Sequence, residues 1–99
     1  MIRVIATAKV KPGKRSEFLE ILNANVPNVQ NENGCLEYVA VTDFESGLEN
    51  QSSDENEVLI LEKWESLDAL KAHLKTPHME DFRNQAKDVL ENVTLRILA

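Results

Sequence analysis

ILEKWESLDALKAHLKTPHM, residues 60–79, is where the fold turns: a strand hands over to a helix, and that helix to another. Val58 to Trp64 is an apolar run of strand length, Ser66 sits where a helix N-cap belongs, and Thr76-Pro77 caps and opens the second helix. Glu62 and Trp64 share strand parity with Val58 and Ile60, so they lie on one face, about 7 Å apart along the strand. A carboxyl group on a face that otherwise reads as buried needs a partner or a proton, because an unpaired buried charge is costly.

Upstream, Ile2, Val4, Ala6, Ala8 and Val10 alternate with Arg3, Ile5, Thr7 and Lys9, which predicts a first strand. Pro12-Gly13 breaks it. Phe18, Leu19, Leu22, Val26 and Val29 then recur at helical spacing, with Pro27 predicting a kink or an early end near Asn25 and Gly34 closing the element. Cys35 to Thr42 suits a half-buried strand. Asp43 to Glu57 holds six acidic side chains and no basic one, the pattern of a solvated connection or of a lid over a nearby pocket.

Downstream, Leu67, Leu70 and Leu74 mark the inner face of the second helix, and Met79, Phe82, Ala86 and Val89 that of the third. Val93, Leu95 and Ile97 alternate with Thr94 and Arg96 as a closing strand. The order is βαββαβ with a split second helix: an α+β, ferredoxin-like single domain over residues 1–99, four strands with helices on one face. Nothing in the chain covers the other sheet face. Two sheets packed face to face in a homodimer are therefore expected.

Ninety-nine residues suffice for one core, and the formal charge of −6 with a pI near 4.9 argues against nucleic acid or an anionic membrane as partner. One cysteine, Cys35, forms no internal disulfide and has no zinc-type spacing around it. A reducing, cytoplasmic setting is expected. No signal peptide or membrane-length apolar stretch is evident.

The candidate chemistry rests on few side chains. His73 lies three residues after Leu70 and four after Ala69, on the shoulder of the apolar stripe, and an imidazole there, with an ordinary pKa of about 6.5, suits proton removal from a phenol-like or enol-like hydroxyl. His78, in the first turn of the third helix, reads as local structure or as a substrate contact. Trp64 reads as core packing or as a flat wall for an aromatic ligand. Glu62, His73 and His78 have the composition of a two-histidine, one-carboxylate metal site, but the five-residue step across Pro77 does not set the histidines side by side on one helix, so no metal is expected. Phosphate loops, nucleophile elbows and dinucleotide fingerprints are absent.

Pro12-Gly13-Lys14, Gly34-Cys35-Leu36-Glu37-Tyr38, Glu62-Lys63-Trp64-Glu65-Ser66, Ala72-His73-Leu74 and Thr76-Pro77-His78, in this order and spacing, resemble the antibiotic-biosynthesis monooxygenase family nearly end to end. Val26-Pro27, the long loop after the second strand and the Arg96-Ile97-Leu98 ending are similar to its bacterial quinol monooxygenase branch. The resemblance implies a dimeric α+β barrel that oxidises a quinol or polyphenolic aromatic with O2, using neither metal nor flavin. It also implies roles: Trp64 the wall, His73 the base, Glu62 the group orienting either, and Arg83 a support for an anionic oxygen. Haem-degrading relatives need an iron-binding histidine where Arg83 stands, so haem chemistry is not expected. Another relative processes a small phosphorylated signalling sugar and shares the histidine before Thr-Pro-His. That reading stays open, as does a non-catalytic dimer that binds a small aromatic molecule.

Overall fold

The computed structural model describes residues 1–99 and has the order β1 (Ile2–Val10), α1 (Arg15–Gln30), β2 (Cys35–Val41), β3 (Glu57–Trp64), α2 (Leu67–Leu74), α3 (Pro77–Ala86) and β4 (Leu90–Leu98). The four strands form one antiparallel sheet in the order β2-β3-β1-β4, the ferredoxin-like arrangement expected from the alternation of patterns. The helices lie on one face. Strand alternation decides which side chains meet them: Val4, Ala6, Ala8 and Val10 from β1 and Val58, Ile60, Glu62 and Trp64 from β3 are all buried.

Register carries the same face across the sheet. Val4 pairs with Glu62 and with Ile97, and Tyr38 with Glu62, so these four side chains form one row. Ala40, Ile60, Ala6 and Leu95 form the next. The small Ala6 sits mid-row under the helices, and the room it leaves becomes part of a cavity.

Pro27 does not end α1, contrary to the expectation of an early stop near Asn25. It stands in the last turns on the exposed side, where the carbonyl of Asn23, deprived of its usual partner, is on an exposed residue and faces water. The helix closes four residues later, with the Asn31 N–H donating to the Pro27 carbonyl at 3.2 Å. Its inner face, Phe18, Leu22, Asn25 and Val29, packs on α3 and the sheet, Phe18 meeting Phe82 with ring centroids 6.0 Å apart.

Ser66 and Thr76 cap α2 and α3 as expected, their hydroxyls accepting from Ala69 N–H and Met79 N–H. The face of α2 differs from its leucine pattern. Leu67 and Leu74 are partly exposed, whereas Leu70 and His73 are buried, so His73 is the centre of the inward face and not its shoulder. A helix of only eight residues buries one stripe, and the i, i+3 pair Leu70 and His73 occupies it. Gly34 makes the crossing of β2 under α2 possible. It has φ +83°, and a Cβ there would come within 2.7 Å of the Ala69 Cβ.

On the opposite sheet face, Ile5, Leu59, Leu61, Val39 and Val41 adjoin one another by register and lie under no helix. Val93, Leu95 and Ile97, on the helix side of β4, also remain about half exposed at 46%, 44% and 50%, because the helices do not reach that edge. No helix is long and apolar enough to cross a membrane.

Candidate active site

Between the sheet and helices α2 and α3 lies a cavity of about 270 Å³. Eleven of its fourteen lining residues are hydrophobic; of the other three, Glu62 and His73 are buried and Arg83 stands at the exposed rim. Ala6, Ile60 and Leu95 form the floor, and Leu70, Leu74, Met79 and Phe82 the roof.

Glu62 lies at the floor, 5% exposed, its Oε1 accepting a 2.8 Å hydrogen bond from the Trp64 indole N–H. Desolvation pushes its carboxyl up to about 7, against the pull of the indole donor and with help from the charge of Glu32. Near neutral pH it therefore sits on the edge between a donor and an acceptor.

His73 enters from α2. Its Nδ1 faces Glu32 Oε2 at 2.8 Å, and its ring stacks against Trp64 with centroids 4.6 Å apart and meets the edge of Tyr38 at 5.6 Å. Burial lowers its pKa below the ordinary 6.5, outweighing the support from Glu32. The ring is thus a neutral imidazole at pH 7. With Nδ1 donating to Glu32, Nε2 is the basic nitrogen, and the ring borders the cavity.

Tyr38 completes the row opposite Glu62. Burial and the neighbouring Glu62 raise its phenol, which stays protonated as a donor on the cavity wall. Arg83 reaches the cavity from α3, with Nη2 fastened to the Leu74 carbonyl at 3.1 Å, where a cation also meets the C-terminal end of α2.

Two expected site residues lie elsewhere. Trp64 is not a cavity wall: it is fully buried one layer behind, where it bonds Glu62 and backs His73, because it stands at the end of β3 beneath α2. His78 lines a separate groove with Ile21, Asn25, Asn28, Asp81 and Gln85, and meets the site only through Glu32 Oε2, 2.7 Å from its Nε2. Glu32 itself carried no signal in the sequence. It stands in the polar turn after α1, and only folding brings it against two histidines more than forty positions away. Tyr38 was legible in principle, since its strand parity with Ala40 places it on the helix side.

No group of three or more His, Cys, Asp and Glu side chains is arranged to hold a metal ion. The nitrogens of His73 and His78 both address one carboxylate oxygen at hydrogen-bonding distance. Cys35 is not activated, because burial and the charge of Glu32 push its thiol up.

Residues 1–85 match the model of the family described as antibiotic biosynthesis monooxygenase. The chain belongs to that family. It is 39% identical over 99% of its length, and 96% of the relative's, to an Escherichia coli K12 protein named "Probable quinol monooxygenase YgiN". Among solved structures, PA3566 from Pseudomonas aeruginosa superposes with a TM-score of 0.82 at 28% identity, covering 98% of this chain and 90% of that one. Rv0793 from Mycobacterium tuberculosis gives 0.80 at 28% identity, covering 99% and 92%. Membership supports a monooxygenase and agrees with the ferredoxin-like fold.

Proposed function

We propose that the protein is a cofactor-independent monooxygenase that oxidises a quinol or polyphenolic aromatic with O2. The observation that carries this reading is the convergence of a neutral imidazole and a carboxyl poised near pH 7 on one apolar cavity. An aromatic ring fills the space between Ile60 and Phe82, a volume at the lower end of ligand pockets and suited to one or two rings. The relative's name, quinol monooxygenase, adds the substrate class.

His73 Nε2 takes the proton of a ring hydroxyl as general base, while Tyr38, Glu62 and Arg83 hold the substrate's oxygens. The resulting anion is electron-rich and gives one electron to O2. Semiquinone and superoxide recombine at a ring carbon; His73 returns its proton to the peroxide, whose O–O bond breaks as the ring C–H proton is lost, so that one oxygen atom stays in the oxidised ring and the other leaves as water. The protein supplies position, a proton acceptor and an apolar cavity. Trp64 keeps His73 and Glu62 in place without touching substrate.

A phosphorylated sugar is a poorer fit, since the cavity offers Arg83 as its one cation. The working unit is proposed as a homodimer in a reducing compartment, supported by the uncovered band Ile5, Val39, Val41, Leu59 and Leu61 and by the unpaired Cys35.

Oxygen uptake with a naphthohydroquinone and no added cofactor tests the function. The wild-type protein should exceed spontaneous oxidation, and His73→Gln should lose roughly 100-fold in kcat while far-UV circular dichroism stays unchanged. A His73→Gln protein as fast as wild type would remove the base from the mechanism.

A further inference from the structure

The His73 ring is enclosed by Trp64, its centroid 4.6 Å away, and by Tyr38 at 5.6 Å. Such packing fixes the plane of an imidazole but is blind to a half turn about the Cβ–Cγ bond, which exchanges Nδ1 with Cδ2 and Nε2 with Cε1. What distinguishes the two settings is Glu32, whose Oε2 lies 2.8 Å from His73 Nδ1. A carboxylate only accepts, so the nitrogen facing it carries a proton, and in a neutral ring the other nitrogen is bare.

We propose that Glu32 is the positioning residue for His73, fixing both the ring setting and the tautomer that leave Nε2 free to act as base, and that His78 braces Glu32 for this role. The Glu32 backbone is tied at both ends: its N–H donates to the Val29 carbonyl at 2.9 Å, and its own carbonyl accepts the Cys35 N–H at 3.2 Å. Its side chain would still swing about its rotatable bonds. His78, in the first turn of α3, stops it by donating Nε2–H to the same Oε2 at 2.7 Å. Because the carboxylate only accepts, this brace holds whether His78 is neutral or charged. Donors from α2 and α3 thus converge on one oxygen of a side chain that is only 11% exposed.

No other group around His73 takes over this task. Tyr38 on β2 stays protonated and meets the ring edge-on, Glu62 on β3 accepts from Trp64, and Arg83 on α3 offers only donors and is fastened to the Leu74 carbonyl. Without Glu32, nothing selects Nδ1–H. A ring in the wrong setting or tautomer presents a C–H or N–H where a base is needed, so substrate binds but its proton is not taken. The loss falls on kcat and spares KM. The charge of Glu32 adds a second effect, since it raises the pKa of His73 against the lowering by burial.

The proposal rests on the reading of His73 as the base, and a measurement without substrate separates the two. The chain has two histidines, so His78→Ala assigns the imidazole nitrogen NMR spectrum of the resting protein. Wild-type His73 should show a protonated Nδ1 and a bare Nε2 above pH 7; the opposite tautomer would overturn the proposal without any variant. In naphthohydroquinone oxidation, Glu32→Ala should lose on the order of 100-fold in kcat with KM unchanged, and its His73 should no longer favour Nδ1–H. Glu32→Gln keeps an accepting oxygen, held inward by the two ring donors. It should restore the tautomer and most of the rate, with the acid limb of its pH profile moved to lower pH because the charge is gone. His78→Ala should fall between wild type and Glu32→Ala in kcat. A folded Glu32→Ala as fast as wild type, or a Glu32→Gln as slow as Glu32→Ala, would overturn the positioning role, and a wild-type rate in His78→Ala would overturn the brace. The Nδ1–H tautomer in a protein without turnover would refute the monooxygenase reading alone.

Discussion

Glu62 and His73 have opposite consequences for stability, and both follow from burial. Glu62 keeps its proton in the folded state up to about 7, against an ordinary value of 4.5, so between these pH values the unfolded chain holds fewer protons and stability falls as pH rises. The full loss is about 3 kcal/mol. His73 acts the other way. Its folded pKa lies below 6.5, so its contribution is present above 6.5 and is lost as pH falls through that region. Glu62→Gln should abolish the decline between about pH 4.5 and 7, read as urea midpoints; an unchanged slope would mean that the carboxyl is ionised inside. The sequence revealed both residues, through strand parity and helical spacing. Parity names a face but not a depth, which is why Trp64 was expected at the cavity wall and lies behind it. Glu32 was invisible, because its partners are set by how three elements pack and not by any local pattern.

At the scale of elements, capping and alternation were legible because they are local. Ser66, Thr76-Pro77 and the alternating β1 and β3 all stand where their chemistry placed them. The exceptions are contextual. Pro27 is tolerated because its side of α1 faces water, and Leu67 and Leu74 of α2 point partly outward because so short a helix buries a single stripe. Gly34 couples elements directly, its carbonyl accepting the Glu65 N–H at 2.8 Å while its bare Cα lets α2 approach. Gly34→Ala should destabilise the fold by about 2 kcal/mol through the left-handed backbone and the collision with Ala69, and should displace His73 with α2. Chemical denaturation measures the first, and a change in tryptophan fluorescence reports the second through the His73–Trp64 stack. A variant as stable as wild type would show that α2 stands further off.

For the whole molecule, the order of strands and helices was readable from the sequence, and so was the bare outer face of the sheet. The size of the cavity was not, since it depends on how far α2 and α3 stand above Ala6. Ile5, Val39, Leu59 and Leu61 form a continuous apolar band, and the proposed second sheet packed on it would remove it from water. Leu61→Lys, at the centre of that band and pointing away from the cavity, should shift the species in sedimentation from dimer to monomer. A wild-type chain that sediments as a monomer at micromolar concentration would contradict the face-to-face pairing.

The most direct test of the cavity as a reaction site is the fate of isotopic oxygen. Metal-stripped protein supplied with ¹⁸O₂ and a naphthohydroquinone should place one ¹⁸O atom in each product molecule, at a rate that collapses in His73→Gln. Product free of ¹⁸O, or labelled equally fast without the protein, would contradict it.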